Sequence, residues 1–247
     1  MEILPDVSLD RIGNKKILLV DDEVDILNLL EAVLLKENFK NIYKATCGQE
    51  AIEKAKAIKP DMIVLDIMMP DMDGFEVCRR LREITLVPIL FLSARDESID
   101  KILGLGIGGD DYITKPFSPK EVAFRVKAHF RREEYLALGQ QAGEKEIVTF
   151  GDIEIDRKKG EVKKRGIPVT LTAKEYNLLM YFVENPNQIL SKNKILEEVW
   201  GDSFEGYDNT LMVHVRHLRR KIEDDPANPK YIVTVKGLGY KLVVGDR

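Results

Sequence analysis

Four apolar runs of the chain each end on residues with chemically useful head groups. "KILLV" leads into Asp21, Asp22 and Glu23, "MIVL" into Asp66, "PILFL" into Ser93, and "DYIT" into Lys115 and Pro116. Carboxylates gathered in one place repel, and a hard divalent cation relieves that repulsion. Mg2+ suits such a site, because it takes few carboxylates, keeps waters and meets phosphate oxygens. A hydroxyl and an ammonium add a hydrogen-bond donor and a positive charge for further oxygens. The set is equipped for phosphoryl transfer, in which positioning and electrostatics carry most of the catalysis. A carboxylate can itself accept the group as an aspartyl phosphate. Asp66, the lone acid at the tip of the central run, is the candidate acceptor. Any one of these residues alone reads better as an ordinary loop or helix cap; matching residues at four successive run ends do not.

These residues must be brought to one edge, and the pattern around them does so. From Lys16 to about Arg132, short β-branched or aliphatic runs alternate with helical stretches such as "EVDILNLLEAVLLKENF", "GQEAIEKAKAI" and "FEVCRRLRE". Strands separated by helices predict βαβ units and a parallel sheet, which binds ligands at the carboxyl ends of its strands. The last helix, "SPKEVAFRVKAHFRREEYL", opens with Ser118 as N-cap, Pro119 in the first turn and Glu121 in capping-box position. The stretch "REEYLALGQQAGEKE" then turns polar and reads as helix end plus linker. After it, "IVTFGDIEIDRKKGEVKKRGIPVTLT" predicts a small antiparallel sheet. Three helices follow, starting near Thr172, Ser191 and Asn209, and "YIVTVKGLGYKLVV" predicts a closing hairpin.

Composition agrees with two modules. The 247 residues are 44% hydrophobic and 32% charged, enough for real cores. Residues 1–144 carry 20 Lys and Arg against 26 Asp and Glu, and the remainder 18 against 16. This change of sign suggests modules with different partners. No apolar run reaches the roughly 20 residues of a membrane span, and Pro5 and several charges interrupt any signal-like N-terminus. Cys47 and Cys78 lack disulfide or metal-ligand spacing, which fits a reducing cytoplasm.

On a helical wheel of "NTLMVHVRHLRRK", Leu211, Val215, Leu218 and Ile222 fall together and predict the core face. Asn209, Val213, Arg216 and Arg220 lie opposite, flanked by Met212 and His217. Arg and Asn read guanine and adenine edges, and an aliphatic group meets a thymine methyl. Lys236, beside two glycines of the hairpin, is placed to reach DNA backbone or minor groove. His214 and His217 have i, i+3 spacing but no third ligand nearby, so packing or a phosphate contact is the better reading of His214.

The first half, through "LLVDDE", "VLDIMMPDMDG", "LSAR" and "DDYITKPF", resembles the receiver domain of two-component response regulators. The second, through "LTAKEYNLLMYFVENP", "VHVRHLRRKIE" and "TVKGLGYKL", resembles the winged-helix effector domain of the OmpR/PhoB family. The resemblance implies a flavodoxin-like α/β receiver over residues 15–134, with five parallel strands in the order 2-1-3-4-5. A linker over 135–145 and an α+β winged helix-turn-helix domain over 146–245 would follow. It implies phosphorylation of Asp66 by a sensor histidine kinase. Mg2+ would be held by Asp21, Asp22, Asp66 and the Met68 carbonyl. Ser93 and Tyr112 would be the switch pair, Lys115 would contact the phosphoryl group, and the Lys115–Pro116 bond would be cis. A phosphorylation-induced homodimer would pair Lys101 with Glu121 and Asp111 with Arg125 between subunits. Promoter DNA, as direct repeats, would meet Asn209, Thr210, Met212, Val213, Arg216, His217 and Arg220, with Lys236 in the minor groove. RNA polymerase would meet the loop in "WGDSFEGYD". The helix begins Asn209-Thr210-Leu211-Met212, where the family commonly has Arg-Thr-Val-Asp. Two alternatives on the same fold lose ground on the residues. A phosphohydrolase with an aspartyl intermediate needs a second acid two residues after its nucleophile, and position 68 is Met. A flavin-binding domain needs a phosphate-cradling loop after the first strand, and none is present.

Overall fold

The computed structural model describes residues 9–93, 106–139, 147–201 and 208–245. The chain forms two compact units, Met1–Glu134 and Tyr135–Arg247. The first is built from β1 (Lys16–Val20), α2 (Val24–Lys36), β2 (Asn41–Ala45), α3 (Gly48–Ile58), β3 (Met62–Asp66), α4 (Gly74–Arg82), β4 (Ile89–Ser93) and β5 (Asp111–Thr114). A short α1 (Leu9–Gly13) precedes β1, and α5 (Pro119–Gly139) follows β5.

The strands form one sheet in the expected order β2-β1-β3-β4-β5, and every pairing is parallel. Strands β3 and β4 are buried along their whole length, which is why they read as unbroken apolar runs. Their side chains alternate between two cores. Val64, Leu90 and Leu92 pack with Leu30, Val126 and Phe130 on one face, while Ile63, Leu65 and Phe91 pack with Ile52, Phe75 and Leu81 on the other.

Helix α1 is not foreseen by the sequence pattern. Ile12 is buried in the same core as Phe39 and Phe130, and the Lys40 N–H donates to the Gly13 carbonyl at 2.9 Å. A Cβ on Gly13 would stand 2.6 Å from the Asn38 carbonyl oxygen, so glycine is what lets the segment lie this close.

In the second unit, β6 (Ile147–Phe150), β7 (Ile153–Asp156), β8 (Glu161–Lys164) and β9 (Ile167–Pro168) form an antiparallel sheet in sequence order. Helices α6 (Ala173–Glu184), α7 (Lys192–Trp200) and α8 (Asp208–Ile222) follow, then the hairpin of β10 (Ile232–Val235) and β11 (Gly239–Leu242). The helix starts are those the sequence predicts. Thr172 and Glu175 form a full capping box on α6, and Ser191 accepts from the Lys194 N–H at the start of α7. Leu178, Phe182, Val199, Leu211, Val215 and Leu218 share one core.

The end of the turn from α8 into β10 is held by a buried carboxylate. Glu223 is buried and accepts the N–H groups of Lys230, Tyr231 and Ile232, each at 2.9 Å. Hydrogen bonds to a charged acceptor are worth more than neutral ones, and orphaned donors cost their full desolvation. Glu223→Ala is therefore expected to destabilise the second unit by about 2–4 kcal/mol, while the receiver-like unit keeps its own transition. Trp200 is the chain's single tryptophan and lies in the second unit, so its fluorescence during urea unfolding measures that loss separately. An unchanged midpoint would contradict the role given to Glu223.

Candidate phosphorylation site and nucleic-acid interface

The sheet order gathers the predicted strand-end residues at one edge. Asp21 follows β1 directly, Asp66 and Ser93 are the last residues of β3 and β4, and Lys115 follows β5. Asp21, Asp66 and Ser93 are buried, whereas Asp22 is exposed. Oxygens of Asp21, Asp22 and Asp66 lie within 4.8 Å of one another. Lys115 Nζ stands 3.1 Å from Asp21 Oδ2 and 3.2 Å from Asp66 Oδ1. Asp21 Oδ1 also accepts the Glu23 N–H at 2.9 Å. Among the described residues, Asp66 Oδ1 has the ion pair with Lys115 and no further hydrogen-bond partner.

Among the described residues, one ammonium faces these three acids. Burial first, and the neighbouring Asp21 charge second, raise the Asp66 carboxyl above its ordinary range, against the pull of Lys115 and the Met68 N–H. For Lys115, burial is the largest single influence and lowers its pKa, but the charges of Asp66 and Asp21 together carry it above the usual lysine value. Because Asp66 titrates higher in the folded state, its charge costs stability at neutral pH. That cost accumulates as pH climbs from about 3.8 through the raised value. An all-oxygen donor set of three carboxylates fits a hard divalent cation, not a thiophilic one.

The loop after β3 explains residues that look functional but are structural. Gly74 backs onto the strand end so closely that a Cβ would sit 2.3 Å from the Asp66 carbonyl oxygen. Asp73 caps α4 by accepting the Phe75 N–H at 2.8 Å. Asp71 accepts the Gly48 N–H at 2.9 Å and so ties the loop to α3. Met68 keeps its side chain exposed, and no acid stands there to serve a phosphohydrolase. On the other side of the pocket, the Lys115 N–H donates to the Ser93 carbonyl at 2.6 Å. The Lys115–Pro116 bond is cis. Tyr112 is half-buried, its ring 6.3 Å from that of Phe91.

Asp111 and Arg125, expected to pair between subunits, also meet within one chain. Within one chain, Arg125 reaches Asp111 at 3.1 Å and Glu121 at 3.0 Å. Glu121 is one helical turn before it and Asp111 opens the adjoining β5, so both acids are already in reach. Lys101 lies outside the described residues.

On α8 the exposed arc is narrower than the wheel suggests. Met212, Arg216 and Arg220 are exposed, while Val213 is buried, which corrects its placement on the open face; Thr210 is buried as well. The helix packs against both α6 and α7, so more than half its circumference is covered. His214 is buried against Trp200, with ring centroids 5.1 Å apart, so it packs as its sideways position on the wheel suggests. His217 is partly covered, its Nδ1 4.0 Å from Glu175, and burial is the main cause lowering its pKa. Lys236 is exposed at the hairpin turn. The Asn209 side chain and residues 202–207, where the polymerase loop was expected, lie outside the described residues.

A parallel five-stranded sheet with an acidic pocket at its strand ends, followed by a winged helix-turn-helix unit, defines a receiver joined to a DNA-binding effector. Two family patterns match accordingly: "Response regulator receiver domain" over residues 17–127 and "Transcriptional regulatory protein, C terminal" over 166–242. The chain is 46% identical over 230 residues to the transcriptional regulatory protein YvrH of Bacillus subtilis, covering 93% of this chain and 96% of that one. It is 45% identical over 233 residues to the alkaline phosphatase synthesis transcriptional regulatory protein PhoP of the same organism, with coverage of 93% and 97%. Among solved structures, that of a RitR mutant superposes with a TM-score of 0.76 at 25% identity, covering 94% of this chain and 100% of that one. The chain belongs to the OmpR/PhoB family of two-component response regulators, and it is a transcriptional response regulator.

The crowding of acids yields a stability prediction. Asp66→Asn removes one buried charge from the repelling set, so in metal-free buffer at about pH 7.5 the receiver transition is expected to rise by a few degrees. Added MgCl2 should raise the wild-type transition and leave the variant's nearly unmoved. Calorimetry with and without MgCl2 checks both; a variant less stable than wild type in the metal-free arm contradicts the repulsion argument.

Proposed function

We propose that Asp66 accepts a phosphoryl group from the phosphohistidine of a sensor kinase and that this modification governs promoter binding by the second unit. The observation that carries this reading is the Asp66 carboxylate itself. It is buried at the tip of the central strand, with oxygens of Asp21 and Asp22 within 4.8 Å and an ammonium 3.2 Å away. In the transfer, the phosphorus–nitrogen bond of the donor breaks as a bond forms to an Asp66 oxygen. Lys115 is in place to pair with the arriving phosphoryl oxygens, and Ser93 to hydrogen-bond one of them. Asp21, Asp22, Asp66 and the Met68 carbonyl would hold Mg2+, which neutralises phosphoryl charge during transfer. Tyr112, beside Phe91, partners Ser93 in the switch. The protein acts as a phosphoacceptor and transcription factor, not as a turnover enzyme, and works in the cytoplasm.

The domain limits follow as a receiver over 15–134, a linker over 135–145 and an effector over 146–245. Met212, Arg216 and Arg220, successive turns of one helix edge, form the major-groove face, and Lys236 approaches the minor groove. Phosphorylated receivers pair and set two effectors on direct repeats, where the loop before α8 meets RNA polymerase.

Two measurements test this. Asp66→Asn should abolish Mg2+-dependent labelling by acetyl phosphate while the far-ultraviolet circular dichroism stays unchanged; undiminished labelling at another residue rejects the assignment. Arg216→Ala or Arg220→Ala should weaken specific DNA binding by about 1–3 kcal/mol if either holds a base bidentately. Wild-type affinity in both variants would reject this arc as the reader.

A further inference from the structure

The exposed arc of α8 and the tip of the β10–β11 hairpin are joined by one side chain that the wheel does not single out. Arg219 sits at the edge of the arc, but its guanidinium is directed to the hairpin. Its Nε donates to the Ile232 carbonyl at 2.8 Å and its Nη2 to Thr234 Oγ1 at 2.8 Å. Its Cζ stands 5.8 Å from the Tyr240 ring centroid, so the same group engages both strands. The other edge of the hairpin is fixed as well. Leu190 and Tyr240 exchange backbone hydrogen bonds at 2.8 and 3.0 Å. Gly239 lies so close that a Cβ would stand 2.0 Å from the Leu190 carbonyl oxygen. The next residue after Leu190, Ser191, caps α7. The wing is thus clamped between the recognition helix and the start of α7, with Lys236 on the exposed turn.

We infer that Arg219 is a positioning residue that holds the wing in register with α8, so that Lys236 meets DNA at a set distance from the bases read by Arg216 and Arg220. The inference rests on the reading of this unit as a DNA interface. The chemistry is specific to arginine. A planar fork can donate to a carbonyl and a hydroxyl at once while its face covers an aromatic ring; an ammonium is a point charge and cannot span that set. A guanidinium committed to the hairpin is also drawn away from phosphates. Arg219 therefore differs in role from its neighbours Arg216 and Arg220, whose side chains are exposed.

The test is a mutant cycle in the full-length protein, phosphorylated with acetyl phosphate. The probe is a duplex selected from random-sequence DNA by the wild type. Lys236→Ala and Arg219→Ala are each expected to weaken binding on the order of tenfold. The double variant should lie within about twofold of Lys236→Ala alone, because both act through one contact. Arg219→Lys should bind like Arg219→Ala. Thr234→Val, which removes one acceptor without touching a charge, should show a smaller loss that also disappears in the Lys236→Ala background. Additive losses, or full rescue by Arg219→Lys, would mean that Arg219 touches a phosphate directly and would overturn the inference. Should Arg219→Ala fail to give a cooperative Trp200 unfolding transition, the Thr234→Val cycle decides in its place, by the same criterion. If Lys236→Ala binds as tightly as wild type, the wing makes no contact worth positioning and the inference falls. The Arg216→Ala result then decides separately whether the DNA reading of α8 survives.

Discussion

A carboxylate held out of water at the end of a parallel strand is the constraint on which the receiver unit depends. Desolvating an ion is expensive, and a like charge close by makes it more so. Asp66 carries both burdens, since burial and Asp21 push it in the same direction. What keeps the arrangement together is Lys115, which reaches Asp21 and Asp66 at nearly equal distances. The sheet order makes this possible. β1 and β3 are neighbours, so their acids adjoin, and β5 lies two strands from β3, far enough for a long side chain to bridge back. The remaining features hold the two ends of that bridge. Gly74 lets the chain double back under Asp66, Asp73 and Asp71 fix the loop, and a backbone bond ties Lys115 to Ser93. Among the described residues the pocket holds three carboxylates against one ammonium, an imbalance that a bound cation would relieve.

The effector unit solves a different problem, which is to keep a basic helix both anchored and open. The anchor is a buried carboxylate again, but here it meets two donors on one oxygen. Glu175 accepts the Thr172 N–H at 2.8 Å and Lys221 Nζ at 2.5 Å, so one acid caps α6 and draws in the far end of α8. Lys174, also buried, donates to the Val199 carbonyl at 2.9 Å and lies over the Trp200 ring. With helices against two of its sides, α8 has little freedom to rotate. The side chains left on the open arc are therefore presented at fixed angles, which sequence readout requires.

Much of this was legible in the sequence because each signal had a local cause. Fully buried strands must be apolar along their length, and ligand-bearing residues must follow them, so the five strands and Asp21, Asp22, Asp66, Ser93 and Lys115 could be found from run ends alone. Capping chemistry likewise marked the starts of α6 and α7. What escaped depended on contacts between distant segments. A wheel assumes one covered face, and α8 has two, so Val213 fell on the solvent side although it is buried. Helix α1 is too short for periodicity to reveal, and its place is set by Ile12 finding Phe39 and Phe130. Arg219 looked like any other basic residue of the helix, because its partners lie 13 and 15 residues further along the chain.

Arg125 shows how far charge alone can carry a switch. In the single chain it is only 12% exposed and already holds Asp111 and Glu121. A two-fold dimer that re-paired these groups between subunits would exchange one set of contacts for another. The net electrostatic gain on association is therefore close to zero. Charge complementarity of this sort selects register and rejects wrong partners more than it supplies affinity. Any energy favouring a phosphorylated pair would then have to come from packing that changes with the state of the pocket. The shortest physical route from that pocket to Arg125 is β5, which carries Asp111 and Tyr112 and ends next to Lys115.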